Sequence, residues 1–364
     1  MKRKFNTTWT TISTSLLAFT SIANADVDNS QMRNLENRVS ALEQRRGASG
    51  VINPPARPQI KDGADLFISG DLLVWQAREN GLPVAIVNKG STPSANLSKS
   101  HVKNFDFDWN VGFRVAAGYN VPHDGWDLSL TWLRFYTNGH SRTHAHSNQA
   151  IFPTRVHPRD PVVAGGTCTK AHAHWKLHLN QLDLDMGREF FVSKWLTIRP
   201  HFGLRSDWIN QKAKIDYDNF TTGDVEVEQK DRWWGIGLEG GIDTQWGLGG
   251  GWSIFGDLGA AILYGFHKMH IENEDEPTDV NFVKMKDSYH ISHPILDLEL
   301  GLRWDRMFSN DRFHIRLQGG WEHHVYFSQN QFPVFVDDVD MGTIVSNQGD
   351  LTFQGWTFSA RFDF

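Results

Sequence analysis

Two short phrases carry the residues best suited to chemistry, "THAHSNQ" at 143–149 and "KAHAHWKLH" at 170–178. Each contains His-x-His, and in an extended strand residues two apart share a face. His144 and His146 would then point one way, and so would His172 and His174. Imidazole suits zinc or copper, and an open zinc site needs three protein ligands. With Cys168 nearby in sequence, these four histidines are the metal candidates. The competing reading is a polar rim where histidine is simply tolerated. A second chemistry is hydrolysis, with His174 or His178 beside Asp183 or Asp185 as general acid and base. No motif supports that arrangement, and the chain has no serine-centred elbow or phosphate loop. It is therefore read as a non-enzyme without a cofactor.

What these groups can do depends on the elements that position them. From Asp65 onward the pattern has period two. In "FDFDWNVGFRVAAGY", 105–119, Phe105, Phe107, Trp109, Val111, Phe113, Val115, Ala117 and Tyr119 share one face, and Asp106, Asp108, Asn110 and Arg114 lie on the other. A helix would smear this alternation, whereas a strand between an apolar and a wet environment explains it. Ten such segments are read near 65–77, 105–119, 126–137, 174–191, 195–214, 231–246, 252–270, 288–305, 312–328 and 350–364. A further hairpin in 331–345 would make twelve. The 174–191 segment changes phase between Leu179 and Leu182, which predicts a β-bulge. Phe67 and Trp75 fall on the polar face of the first segment.

Connections alternate between long and short: the turns "NVPHDG", "VSK", "GLGGG" and "MFSND" separate much longer loops. Outer-membrane barrels have this asymmetry, with short periplasmic turns and long outer loops. Tryptophan agrees. Trp126, Trp195, Trp246, Trp252 and Trp304 lie beside short turns, and Trp109, Trp175 and Trp234 toward long loops, as two interfacial girdles require. The expected fold is an all-β transmembrane antiparallel barrel of about ten strands over 65–364.

The residues ahead of it divide in three. Residues 1–25, with Lys2, Arg3 and Lys4 before a moderately apolar stretch and "ANA", read as a secretory signal peptide. They carry no acid, so the mature chain is more acidic than the formal −6, which argues against nucleic-acid binding. Residues 26–46 read as a short heptad helix in the periplasm, with Met32, Leu35, Val39 and Leu42 on its seam. It is either solvated or a coiled coil that suggests a homotrimer. Residues 47–64 read as a Pro-rich linker. The single Cys168 permits no internal disulfide.

The stretches "DLFISGDLLVWQARENGLPVAI", "VGFRVAAGY", "WDLSLTWLRFY" and "RPHFGLR", with the ending "FSARFDF", resemble the Legionella major outer-membrane protein family. The resemblance covers 65–364 and implies a pore-forming outer-membrane barrel. Unlike the cysteine-rich chlamydial major outer-membrane proteins, this chain has one cysteine. The terminal Phe364, closing an amphipathic strand, resembles the signal read by the barrel assembly machinery. The partners expected are therefore that machinery and outer-membrane lipid.

If the apolar face meets lipid, the other face lines a lumen. The expected pore-lining residues are Asp108, Arg114, Asp183, Asp185, Arg199, Arg205, Glu239, Asp243, Asp257, Asp297, Glu299, Arg303, Arg316, Glu322 and Arg361. These charges either set a field across a water-filled pore or pair across a narrow barrel and plug it. Gly112, Gly118, Gly235, Gly237 and Gly241 are expected to free lumen space. The leading function is a porin for small polar solutes or ions. The alternative is a non-conducting barrel acting as adhesin or scaffold through its loops.

Overall fold

The computed structural model describes residues 38, 55–89, 100–122, 124–147, 149–163, 166–276, 280–337, 339–340, 342–346 and 348–364. The segments assigned to the signal peptide and, apart from Arg38, to the heptad helix lie outside the described residues.

Ten strands form the wall: β1 (Leu66–Glu79), β2 (Trp109–Asn120), β3 (Trp126–His144), β4 (Lys170–Arg188), β5 (Leu196–Asp218), β6 (Asp224–Gly249), β7 (Trp252–Glu276), β8 (Val280–Phe308), β9 (Phe313–Asn330) and β10 (Gly349–Asp363). Each pairs antiparallel with the next. The ring closes where β10 pairs β1, from Phe67 opposite Asp363 to Glu79 opposite Leu351. The backbone of Phe364 completes this seam by exchanging both hydrogen bonds with Leu66. Closure leaves no edge strand, as a wall surrounded by lipid requires. The hairpin expected in 331–345 exists as Pro333–Phe335 paired with Ile344–Ser346, but it stands outside the barrel, so the twelve-strand alternative does not hold.

The strands are longer than their lipid-facing parts. On β6 the outward apolar stretch runs from Trp234 to Trp246. At a rise of about 3.3 Å per residue and a tilt of about 40°, it covers about 30 Å, the thickness of a bilayer core. Beyond Trp234 the wall continues toward the long loops with its polarity reversed. Val225, Val227 and Trp233 are buried inside, whereas Trp234, Ile236 and Leu238 are exposed outside.

The same reversal corrects the expected bulge in β4. Ala171, Ala173, Trp175, Leu177 and Leu179 face inward and Leu182, Leu184 and Met186 face outward, yet pairing with β3 and β5 is unbroken through this stretch. The strand does not change phase; its surroundings do. At the lipid level the apolar side must face out. Above it the outside is wet and the inside is filled, so the apolar side must face in. Trp175, expected in a girdle, is wholly buried and donates its indole N–H to Gln211 at 3.1 Å.

The filling comes from the loops. Pro83–Asn88 pairs with both Ser100–Asn104 and Ala150–Pro153 in a three-stranded sheet. Its Val84, Val87 and Ile151 join Leu73, Trp75, Phe135, Trp175 and Phe353 in one buried apolar cluster. Arg155, itself 2% exposed, ties this cap down by donating to the carbonyls of Gly81 at 2.5 Å and Pro83 at 3.3 Å. The hydroxyl of Tyr217 on β5 donates to the Val84 carbonyl at 2.5 Å.

Candidate functional site

Below the cap, at the level of the lipid-facing belt, the inward positions are charged. Alternation along each strand delivers one inward side chain every two residues. Ring closure then brings distant strands within reach. Arg114 on β2 contacts Asp71 on β1 at 3.1 Å and reaches Glu322 on β9 at 2.8 Å. Arg205 on β5 holds Asp183 at 3.1 Å and Glu239 at 2.9 Å, and crosses to Asp297 on β8 at 2.5 Å. Arg199 gathers Asp127 and Asp185, each at 2.6 Å, and Asp243 at 2.9 Å. Two histidines join the network: His201 lies 2.9 Å from Asp185, and His324 lies 2.7 Å from Asp297 and 2.9 Å from Glu322. The charges thus pair across the lumen and leave a cavity between them.

One feature of the network is not neutralised locally. Asp243, Asp257, Glu299 and Glu322 are consecutive register partners on β6, β7, β8 and β9. Like charges directly opposite one another destabilise a sheet. The outer two are held by Arg199 and Arg114. On the inner two, Asp257 Oδ1 and Glu299 Oε1 are buried without a hydrogen-bond partner among the described residues.

These groups surround a cavity of about 340 Å³. Of the fifteen expected lining residues, fourteen border it. Asp108 is the correction: it accepts a hydrogen bond from Asn138 and lies 3.6 Å from His140, outside the barrel above the belt. The strand breaks between Phe107 and Trp109, and this irregularity turns Asp108 out of the inward row. Trp75, Leu133, Leu179, Tyr326 and Phe353 roof the cavity. Asp71, Asp127, His201 and His324 also border it and were missed, although all four are in phase with the inward face of their strands. Phe67 and Trp75, which looked misplaced, belong to this interior.

Three of the five expected lumen glycines, Gly112, Gly118 and Gly235, make room for aromatic rings, whereas Gly237 and Gly241 back onto the carbonyls of Ile262 and Leu258 on the neighbouring strand. A Cβ on Gly118 would sit 2.1 Å from the Phe67 ring, and one on Gly235 would sit 2.4 Å from the Trp233 ring.

At the short-turn end, residues 55–64 cross the opening. Pro55 bridges to Phe190 and the Ala56 amide donates to Glu189, beside the turn between β4 and β5. Lys61 then bonds Asp311, in the turn between β8 and β9 on the other side of the ring. This part of the linker is a strap. Its Arg57 borders the cavity, 8% exposed, with Nε and Nη1 unpartnered among the described residues. Nothing in the Pro-rich sequence signals that contact.

The histidine candidates separate. His144 and His172 stack edge to face with centroids 5.3 Å apart, while His174 stands opposite His140. Cys168 faces the other way, 1% exposed inside the cap, with its thiol 3.6 Å from the Ile151 carbonyl. Among the described residues no three metal-ligating side chains converge, so the candidate histidines are not gathered into a ligand set. His174 and His178 point outward and Asp183 and Asp185 inward, so the hydrolytic pairing is also not assembled.

A closed ten-strand barrel with an apolar belt outside and charges inside defines a transmembrane protein of the outer-membrane type. The chain belongs to the family described as Legionella pneumophila major outer membrane protein precursor, whose model matches residues 58–364. It is an outer-membrane protein. No curated protein matches. Among solved structures, it is similar to the outer membrane protease OmpT from Escherichia coli at 8% identity and a TM-score of 0.40, covering 85% of this chain and 99% of that one. A major outer membrane protein from Thermus thermophilus matches at 11% identity and a TM-score of 0.30, covering 82% and 99%. The translocator domain of the autotransporter NalP from Neisseria meningitidis matches at 7% identity and a TM-score of 0.32, covering 92% and 98%.

Proposed function

We propose that the protein is an outer-membrane channel for small polar solutes and ions, with its strap in the periplasm and its cap outside. The observation that carries this reading is the charged cavity at the membrane level beneath a cap built largely from loops. A purely structural barrel gains nothing from a row of facing carboxylates that lowers its stability. Eleven carboxylates and seven guanidiniums border the cavity, which supports a preference for cations. The apolar roof makes the resting state closed to ions, so conduction requires the cap to move. We assign Phe364, at the closing seam, to recognition by the assembly machinery.

Planar-bilayer recording of the refolded chain tests the channel. Brief, small openings are expected, lengthened by Arg155→Ala, which frees the cap from the carbonyls it holds. Silence from both proteins would retire the channel reading.

The crossed ion pairs and the folded three-stranded loop sheet favour a second reading, a non-conducting barrel that displays its cap as an adhesin or scaffold. Loss of host-cell attachment on exchange of residues 83–104, with unchanged permeability, would select it. No reaction is assigned to the chain.

A further inference from the structure

The outer surface just above the lipid-facing belt of β4 to β8 is cationic, and the strand register shows how closely the cations are ranked. Arg232 on β6 stands directly opposite Lys268 on β7. One step further toward the loops, Lys176, Lys212, Lys230, His270 and Lys286 are successive cross-strand partners from β4 to β8. All belong to the outward-facing set of their strands, immediately above Trp208 and Trp234, which are 41% and 47% exposed. Neighbouring strands lie about 4.8 Å apart and outward rows about 6.8 Å apart, so the second row spans about 19 Å.

Facing like charges repel. Glu228 contacts Lys212 and Lys230, and Glu272 contacts His270. Lys176, Arg232, Lys268 and Lys286 have no carboxylate partner among the described residues. An external anion is the missing counter-charge. Its height is set by the aromatic girdle, because indole rings mark the headgroup level.

We propose that this face binds the phosphates of an outer-leaflet phosphorylated glycolipid of the lipopolysaccharide type, whose acyl chains lie along the apolar wall below. Four unneutralised cations spread over several strands fit a head with more than one phosphate. The lower row adds His178 and Asn210 on one side of Arg232 and Ser288 beside Lys268, neutral groups suited to sugar hydroxyls. Guanidinium and ammonium groups together give charge-assisted bonds to phosphate. The inference rests on the orientation proposed above, with the long loops outside, and its test reads lipid binding, not conductance.

The test uses the refolded full chain in detergent micelles and measures binding of a bis-phosphorylated lipid A, its dephosphorylated form and phosphatidylglycerol. The bis-phosphorylated lipid should bind at least about ten-fold more tightly than either control. Replacing Lys176, Arg232, Lys268 and Lys286 by Gln should remove that advantage. The pair Arg306→Gln and Lys194→Gln, near the short turns, should leave it unchanged. If the four-fold variant does not fold, as judged by heat-modifiable gel migration, Arg232→Gln with Lys268→Gln alone should lower the affinity by several-fold. Equal binding of phosphatidylglycerol, equal binding of the dephosphorylated lipid, or full affinity in the folded variants would each overturn the proposal.

Discussion

Trp233 and Trp234 are adjacent in the chain and stand on opposite sides of the barrel wall. Trp233 is 2% exposed, with its ring against Gly235 and Gly265, and Trp234 is 47% exposed on the outer face. The peptide between them marks the height at which lipid gives way to water outside and cap gives way to cavity inside. Truncating a buried tryptophan costs about 3–5 kcal/mol because it removes contacts and leaves a void. Trp233→Ala should therefore lower the urea midpoint of the refolded protein strongly, and Trp234→Ala only slightly. Equal effects would mean that the two rings share one environment.

The pair between Arg114 and Glu322 supplies a second expectation. Glu322 is 1% exposed and accepts from both terminal nitrogens of Arg114, at 3.1 and 2.8 Å. Removing one partner of such a pair strands a buried charge and costs about 3 kcal/mol or more, whereas replacing both is far milder. Arg114→Met should destabilise the barrel markedly, and adding Glu322→Gln should recover most of the loss. Equilibrium unfolding in micelles reads both; additive losses would show that the two side chains act independently.

Asp257 and Glu299 face each other across β7 and β8 with unsatisfied oxygens. Neutralising them as Asp257→Asn with Glu299→Gln removes a repulsion worth a few tenths to about 1 kcal/mol. The barrel should gain slightly in stability, and the reversal potential in a salt gradient should shift toward anions. An unmoved reversal potential would place the permeation path away from this row.

The cap should respond to pH. Burial and the neighbouring charge of Asp275 push the Asp160 carboxyl up to about 6. An acid raised on folding favours the protonated folded state, so its contribution is fully present below its unfolded pKa and fades as pH rises through about 6. Amides of residues 150–163 should exchange more slowly at pH 5 than at pH 7.5, after correction for intrinsic rates. Asp160→Asn retains Oδ1 to accept from Val162, as in the parent at 3.0 Å, and should flatten that dependence. An unchanged profile in the variant would assign the effect to another group.

The sequence by itself determined an antiparallel barrel of about ten strands and fourteen of the charged cavity residues, while the twelve-strand alternative and the cavity places of Arg57, Asp71, Asp127, Glu189, His201 and His324 were settled by the tertiary structure. What the sequence determined follows from a local cause: lipid outside imposes period two on each segment, so every strand declares its own two faces. Asp243, Asp257, Glu299 and Glu322 were legible in this way as inward residues, but their alignment into one row was not, because register relates separate strands. Arg205 meeting Asp297, or Arg114 meeting Glu322, depends on ring closure, which brings together strands three apart. The filled upper barrel was hidden for a related reason. An apolar residue at period two reads the same whether lipid or a folded loop covers it, and only the tertiary structure decided that Trp175 and Trp233 turn inward while Trp234 turns out. The His-x-His phrases that suggested chemistry lie on that upper wall, where outward positions are wet and Cys168 is sealed on the other side.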